Sequence, residues 1–361
     1  MKEAEARLRS KKLDLLLHPA SSTPVVNTPH NSLSLLHMLH LKSVPPRLSI
    51  HLLLLKFLCC MSITEGRGEC GLPTIELSVG HHQSHVICYL HGATIASYTR
   101  NNTSFIFMSE NAIYNGVKAL RGGVPLVFPQ FGQPNPAMPQ HGFLRTSSAW
   151  KVSQSNVQNE DSVSVTLALA SSESTRALWP YSFIAEFTIE LTTESLKYSL
   201  SIFNTDSQQF ECQALLHTYI RVPSIHEVKV HGLHGVPYID KLSSSTEPIS
   251  EINPAVTFSA EVDRIYLGSR APSDLQVSLA EHEYLRTSKA AWLMHASGDK
   301  TSLPCDVVVW NPWIRKATEL TDLGVDSFPK FVCIEPGPVS QPVKVNPAEK
   351  LVVQQSLTPM Q

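Results

Sequence analysis

A chain of 361 residues, 42% hydrophobic and only 17% charged, has the apolar content for a large core and little that favours disorder away from its ends. Its formal net charge of −2 argues against a nucleic-acid partner, which a basic face would announce, yet leaves room for a local basic pocket. The seven cysteines are odd in number and show no CxxC spacing, which argues against a disulfide framework or a structural zinc site and fits reduced thiols in the cytoplasm.

Residues 1–62 stand apart, with eight Lys/Arg against three acidic residues and leucines scattered among Ser, Pro and His. Their most apolar run, Leu52 to Cys60, is broken by Lys56 and is too short to span a bilayer. No A-x-A-like site marks a signal peptide. Three readings fit. One is a disordered extension upstream of a start at Met61. Another is an organelle transit peptide, which Glu3, Glu5 and Asp14 count against. The third is a short amphipathic helix docked on the rest. Residues 63–361 are expected to form one domain.

From about Gly71 the pattern is that of strands. TIELSV and SHVICYL are short β-like runs around a polar turn, His81-His82-Gln83-Ser84. His81, His82 and His85 have no acidic or cysteine partner nearby, and a solvated loop suits them better than a metal. Residues 119–145 follow, a loop rich in Gly and Pro that can hold little regular helix. Bracketed by Arg121 and Arg145, it is a candidate anion site.

Residues 162–204 give the clearest pattern. Val163, Val165, Leu167 and Leu169 alternate with small polar residues and Ala, as do Phe183 to Leu191 and Leu196 to Ile202 with their polar partners. A period of two predicts antiparallel strands covered on one face, and the break at Thr192-Thr193-Glu194-Ser195 predicts a hairpin. ECQALLHTYIRV and VTFSAEVDRIYL continue the pattern, while the stretch from Ser273 to Ala296 is ambiguous. Ile314 to Leu320 is the best helical segment. Many short strands with almost no long helix predict an all-β fold, a large antiparallel sandwich.

Several residues could carry chemistry. His217 lies mid-strand, where a histidine is more often a hydrogen-bonded core residue, yet imidazole is the side chain suited to proton transfer near neutrality. Glu335 ends the apolar run FVCI and precedes Pro336-Gly337-Pro338, so it reads as a positioned carboxylate that burial would turn into a better base. Asp263 could contact a ligand or form a cross-strand ion pair. Trp310-Asn311-Pro312-Trp313 reads better as the closure of a sandwich end than as a sugar-stacking loop. No P-loop, dinucleotide fingerprint, G-x-S-x-G elbow or H-E-x-x-H is present.

ALRGGVPLVFPQFG, PQHGFLR, LLHTYIRV, HGLHGVPYID, VDRIY, VVVWNPWIRKATELTDLG and FVCIEPG occur in the order expected of the hexose-6-phosphate mutarotases. The chain resembles, over residues 71–357, the glucose-6-phosphate 1-epimerase branch of the aldose 1-epimerase (galactose mutarotase-like) superfamily. The resemblance implies a β-supersandwich that interconverts the α and β anomers of a hexose 6-phosphate. A monomer is the default expectation, and no cluster of residues calls for a metal or cofactor. It implies catalytic roles for His217 and Glu335, with Glu335 as base and a protonated His217 as acid. It implies substrate-binding roles for Arg121, Gln140, Arg145 and Asp263. Ile220 after HTY and Leu144 after HGF depart from the family pattern. Two alternatives stay open, an aldose 1-epimerase of free hexoses and a carbohydrate-binding protein without turnover.

Overall fold

A computed structural model describes residues 61–80, 83–158 and 161–360. The predicted extension therefore lies outside the described residues except for its last two, and so does the His81-His82 step. Ser62 opens a strand, Ser62–Arg67, that pairs antiparallel with Pro73–Val79.

The predicted alternation is converted directly into sheet. In Phe183–Thr192 and Leu196–Asn204 every second residue is buried. Their register sets Leu196 opposite Leu191 and Leu200 opposite Phe187, so apolar side chains meet on one face. The hairpin between them is tied by Thr192, whose Oγ1 accepts from the Ser195 N–H at 2.9 Å. The ambiguous stretch proves to be two strands, Asp274–Leu279 and the longer His282–Met294. Ala280, at φ 52°, turns the chain between them. The helix Trp313–Glu319 lies where it was expected. A second helix, Glu173–Leu178, was not foreseen; Ser172 and Thr175 close a capping box at its start.

Three large sheets make up the architecture. A ten-stranded sheet runs from Ala255–Val256 at one edge through His282–Met294, Lys350–Pro359 and Leu196–Asn204 to Lys151–Gln158 at the other. A five-stranded sheet, residues 62–104, packs against its Lys151–Thr192 side. A six-stranded sheet packs against His282–Met294 and Lys350–Pro359. Its order is Tyr219–Arg221, Phe331–Gly337, Asp306–Asn311, Val262–Tyr266, Pro237–Asp240 and Ile249–Ser250. This is the antiparallel β-sandwich predicted from the strand pattern. No helix among the described residues is long and apolar enough to cross a membrane. The five described cysteines are free thiols.

Candidate active site

The six-stranded sheet lays out the site. Its register places Tyr219, Cys333, Trp310 and Asp263 in one row across four strands. Glu335 lies two residues further along its strand, opposite Val308. Val308 and Ile265 belong to a small apolar cluster with Val127, Leu215 and Val339. Glu335 is only 1% exposed. Beyond the strand end, the Asp306 carboxylate accepts from the N–H groups of Val339 and Ser340, fixing the turn after Glu335.

His217 sits between the short strand Leu215–Leu216 and Tyr219–Arg221, and its N–H donates to the Pro125 carbonyl. Tyr219 stacks on the imidazole at 4.9 Å and 10°, while Trp310 and His141 meet it edge-on, each at 5.8 Å. The ring is therefore held on three sides. Its Nδ1 lies 3.4 Å from Glu335 Oε1. That contact is close but not aligned as a hydrogen bond, and both Nδ1 and Glu335 Oε2 are buried without a partner. A proton donor and acceptor thus lie side by side, each with a buried polar atom that no protein group satisfies.

The electrostatics of the pair differ from the sequence expectation. Burial pushes Glu335 well above the usual carboxylate range, and the neighbouring Asp263 charge adds to this. Burial holds His217 well below the usual imidazole range, with Arg145 and Arg121 acting in the same direction. Both shifts act toward the uncharged forms, a carboxylic acid on Glu335 and a neutral imidazole on His217.

The Gly/Pro loop frames this pair. Its only regular pieces are Leu126–Val127 and a single turn at Leu144–Thr146. Gly142, at φ 73°, lies against Phe128 so closely that a Cβ would fall 1.8 Å from the Phe128 oxygen. Gln130 staples the outer part, donating to the carbonyls of Asn135 and Pro139 at 3.3 and 3.0 Å. Arg121 pairs with Asp322 at 3.1 Å and donates to the Tyr219 hydroxyl at 3.4 Å. Arg145 donates to the Gln140 carbonyl at 2.7 Å, but no carboxylate among the described residues pairs with it and its Nε–H is buried without an acceptor. Burial and the Arg121 charge push the Arg145 guanidinium down to about 10.

Two adjoining cavities share Arg121, Arg145 and His217 as a common wall. One, of about 190 Å³, is lined by Glu335, Asp263, Gln140, His141, Lys241 and Trp310 among others. The second, of about 280 Å³, adds Lys118, Thr146, Tyr219 and Asp322. All six residues singled out in the sequence thus line one cavity. Trp310, expected to close a sandwich end, lines it too, whereas Trp313 packs on His226 and Phe328. The two departures from the family pattern, Ile220 and Leu144, are both fully buried and line neither cavity.

Sequence reasoning missed His141, Tyr219, Lys241 and Asp322. His141 was within reach, lying between Gln140 and Arg145. The Gly132 N–H donates to its Nδ1 at 3.1 Å, so the ring's proton is on Nε2, free to donate to a ligand. Asp322 lies 201 residues from Arg121, and no local pattern links them. Donor atoms of His217, Cys333 and Glu335 lie within 4.8 Å of one another, close enough for a thiophilic ion, but two of the three are the proton-transfer pair.

Behind the pair stands Gln355, on the central strand of the ten-stranded sheet. Its Oε1 accepts from Tyr198 and from Thr218 at 2.9 and 2.7 Å. Its Nε2 donates to Thr287 and to the Ile334 carbonyl at 3.0 and 3.2 Å. One buried amide thus joins the neighbours of His217 and Glu335. Gln355→Leu would strand these groups, at about 1–3 kcal/mol for an unsatisfied buried polar group. We expect a lower denaturation midpoint and a kcat about tenfold down, with KM little changed; an unaltered kcat would reduce Gln355 to a stability role.

Comparison with known proteins bears on what this site does. The sequence profile of the aldose 1-epimerase family matches residues 73–358. A Cenchrus ciliaris protein with the provisional name glucose-6-phosphate 1-epimerase is 33% identical over 270 residues, 73% of this chain and 77% of its own. An Escherichia coli protein of the same provisional name is 30% identical over 283 residues, 77% and 88% of the two chains. Among solved structures, a Salmonella typhimurium protein provisionally named a mutarotase superposes with a TM-score of 0.69 at 24% identity, covering 86% of this chain and 99% of that one.

Proposed function

The chain belongs to the aldose 1-epimerase family, and from that premise we propose that it interconverts the α and β anomers of glucose 6-phosphate and related hexose 6-phosphates. It is a carbohydrate epimerase, and the substrate's phosphate is the part of this reading that one observation carries. Arg145 is a half-buried cation beside the proton-transfer pair, with no acidic partner among the described residues and an unsatisfied Nε–H. A cation in that state is complementary to a bound oxyanion, and Arg121, already satisfied by Asp322, would support it from the other side.

The two oxygens of a hemiacetal share one carbon, so the acid and base that open it must sit close together. A separation of 3.4 Å between His217 and Glu335 suits that geometry. Glu335, as carboxylate, takes the proton from the anomeric hydroxyl. His217, as imidazolium, gives one to the ring oxygen as the C1–O5 bond breaks. The open aldehyde rotates about C1–C2. The O5 hydroxyl then attacks the opposite carbonyl face, His217 recovers its proton, and Glu335 returns one to O1. His141 offers its Nε2–H to a sugar oxygen, Asp263 accepts from a hydroxyl, and the Trp310 ring covers part of the sugar face. The chemistry is proton transfer alone, which needs no metal or cofactor. The reading is of a monomer acting in the cytoplasm.

Anomer-resolved NMR exchange on glucose 6-phosphate and on glucose tests it. The phosphorylated sugar should exchange far faster. Preference for free hexose would make the protein an ordinary aldose 1-epimerase, and binding without exchange would make it a carbohydrate-binding protein. Arg145→Gln should lower kcat/KM for glucose 6-phosphate by about 10²-fold, as expected for loss of a charge-assisted pair, and reduce the preference for phosphorylated over free hexose. Arg121→Gln, which also frees Asp322, should reduce both rates.

A further inference from the structure

The arginines stand where an anchor for the substrate's anion should be, but they also bear on the acid of the reaction. Arg121 reaches the Tyr219 hydroxyl at 3.4 Å, and the Tyr219 ring stacks on His217 at 4.9 Å. Arg145 lines both cavities beside the same imidazole. Before an anion arrives, His217 therefore sits against two cations, of which only Arg121 has a counter-ion among the described residues. Its other ionisable neighbours are Glu335, His141, Cys333, Tyr219, Lys241 and Asp263, and the carboxylates of Glu335 and Asp263 are the groups that favour an imidazolium.

Building on the proposed function, we propose that the oxyanion is a switch as well as a handle: a dianion seated on Arg121 and Arg145 moves the shared proton from Glu335 to His217, so that an inorganic oxyanion bound there activates the site toward a hexose carrying no phosphate. The balance is simple. An O–H bond of the Glu335 carboxyl breaks, an N–H bond forms on His217, and no charge leaves the pair. The result is an imidazolium facing the ring oxygen and a carboxylate facing the anomeric hydroxyl, which is the state the reaction needs. In the absence of the anion the pair is neutral and idle. The ligand-free electrostatics agree, since burial and the two arginines together keep the proton off His217.

This arrangement differs from anchoring alone. An anchor works only through the covalent link between phosphate and sugar. A switch works in pieces, because the anion acts on His217 whether or not it is attached to the ring. The volumes allow both pieces at once, with about 190 Å³ on the Glu335 side and about 280 Å³ on the Lys118 side of the arginine wall.

Phosphite dianion is the probe. Anomer exchange of free glucose is measured by NMR with full-length protein at increasing phosphite, and the rate with phosphite but no protein is subtracted. We expect a saturable rise of at least about tenfold in the protein-dependent rate, within the range of positioned proton transfer, and its loss in Arg145→Gln. In the same titration without sugar, the ring-nitrogen NMR signals of labelled His217 should move from neutral imidazole to imidazolium. Phosphite that competitively inhibits glucose 6-phosphate exchange yet leaves the glucose rate and the His217 signals unchanged would overturn the proposal. Phosphite that neither activates nor inhibits would overturn it too, because the oxyanion must seat on these arginines by itself. Failure of glucose 6-phosphate itself to exchange would instead remove the functional reading beneath it.

Discussion

Glu335→Gln abolishes measurable anomer exchange, lowering kcat by about 10²–10⁴-fold or more, while glucose 6-phosphate still binds. The amide is nearly isosteric and keeps the shape of the cavity, but it cannot take a proton from the anomeric hydroxyl. The same substitution should stabilise the fold at neutral pH. Burial raises the folded-state value of Glu335 above its unfolded one. The folded state then keeps a proton that the unfolded state has released, so stability is fully present below the ordinary carboxylate range and is lost as pH rises toward the folded value. Glutamine has no such dependence. The Tm of the variant should exceed that of the wild type by a margin that grows with pH from about 4.5 upward. A variant that retains turnover would remove Glu335 from the base role. A Tm gap that shrinks with pH would mean the carboxylate is ionised and satisfied in the fold.

The second large effect comes from a residue that touches no substrate. Gly142→Ala should destabilise the protein by about 2–6 kcal/mol, combining about 1–3 for a side chain at positive φ with about 1–3 for overpacking. The methyl would fall 1.8 Å from the Phe128 oxygen, which is backbone and cannot swing aside. Relief must come from the loop itself, and the loop carries Gln140, His141 and Arg145. We therefore expect KM for glucose 6-phosphate to rise as well as the denaturation midpoint to fall. A loss of stability with an unchanged KM would show that the loop's tip recovers its position independently of this contact.

The strands were legible because their alternation is a local property. Phe183 to Leu191 and Leu196 to Ile202 show it without interruption, and each became a strand with one buried face. Asp274–Leu279 and His282–Met294 were harder, because Lys289 breaks the pattern by pointing inward; its Nζ donates to the Cys305 carbonyl at 2.5 Å. The helix Glu173–Leu178 is too short for a period to show. At the site, His217, Glu335 and Asp263 could be weighed from their strands, and motif order joined them to the arginines. The charge state of the pair could not be read, because it depends on what lies across space. Asp322 quiets Arg121 from 201 residues away, and Glu335 lies opposite Val308 of a neighbouring strand.

Gln355 has a consequence in the order of synthesis. Its strand, Lys350–Pro359, is inserted between His282–Met294 and Leu196–Asn204, in the middle of the widest sheet. A chain emerging from the ribosome leaves two sheet edges unjoined until Lys350–Pro359 follows them. Until then those edges are open to pairing with other chains, and the amide that ties the Thr218 hydroxyl to the Ile334 carbonyl is absent. A ribosome-stalled product ending before Lys350 would carry every residue of the cavity and yet have no rigid site. Anomer exchange would switch on only once Lys350–Pro359 has been made and inserted, which makes it a readout of sheet closure in a translation extract.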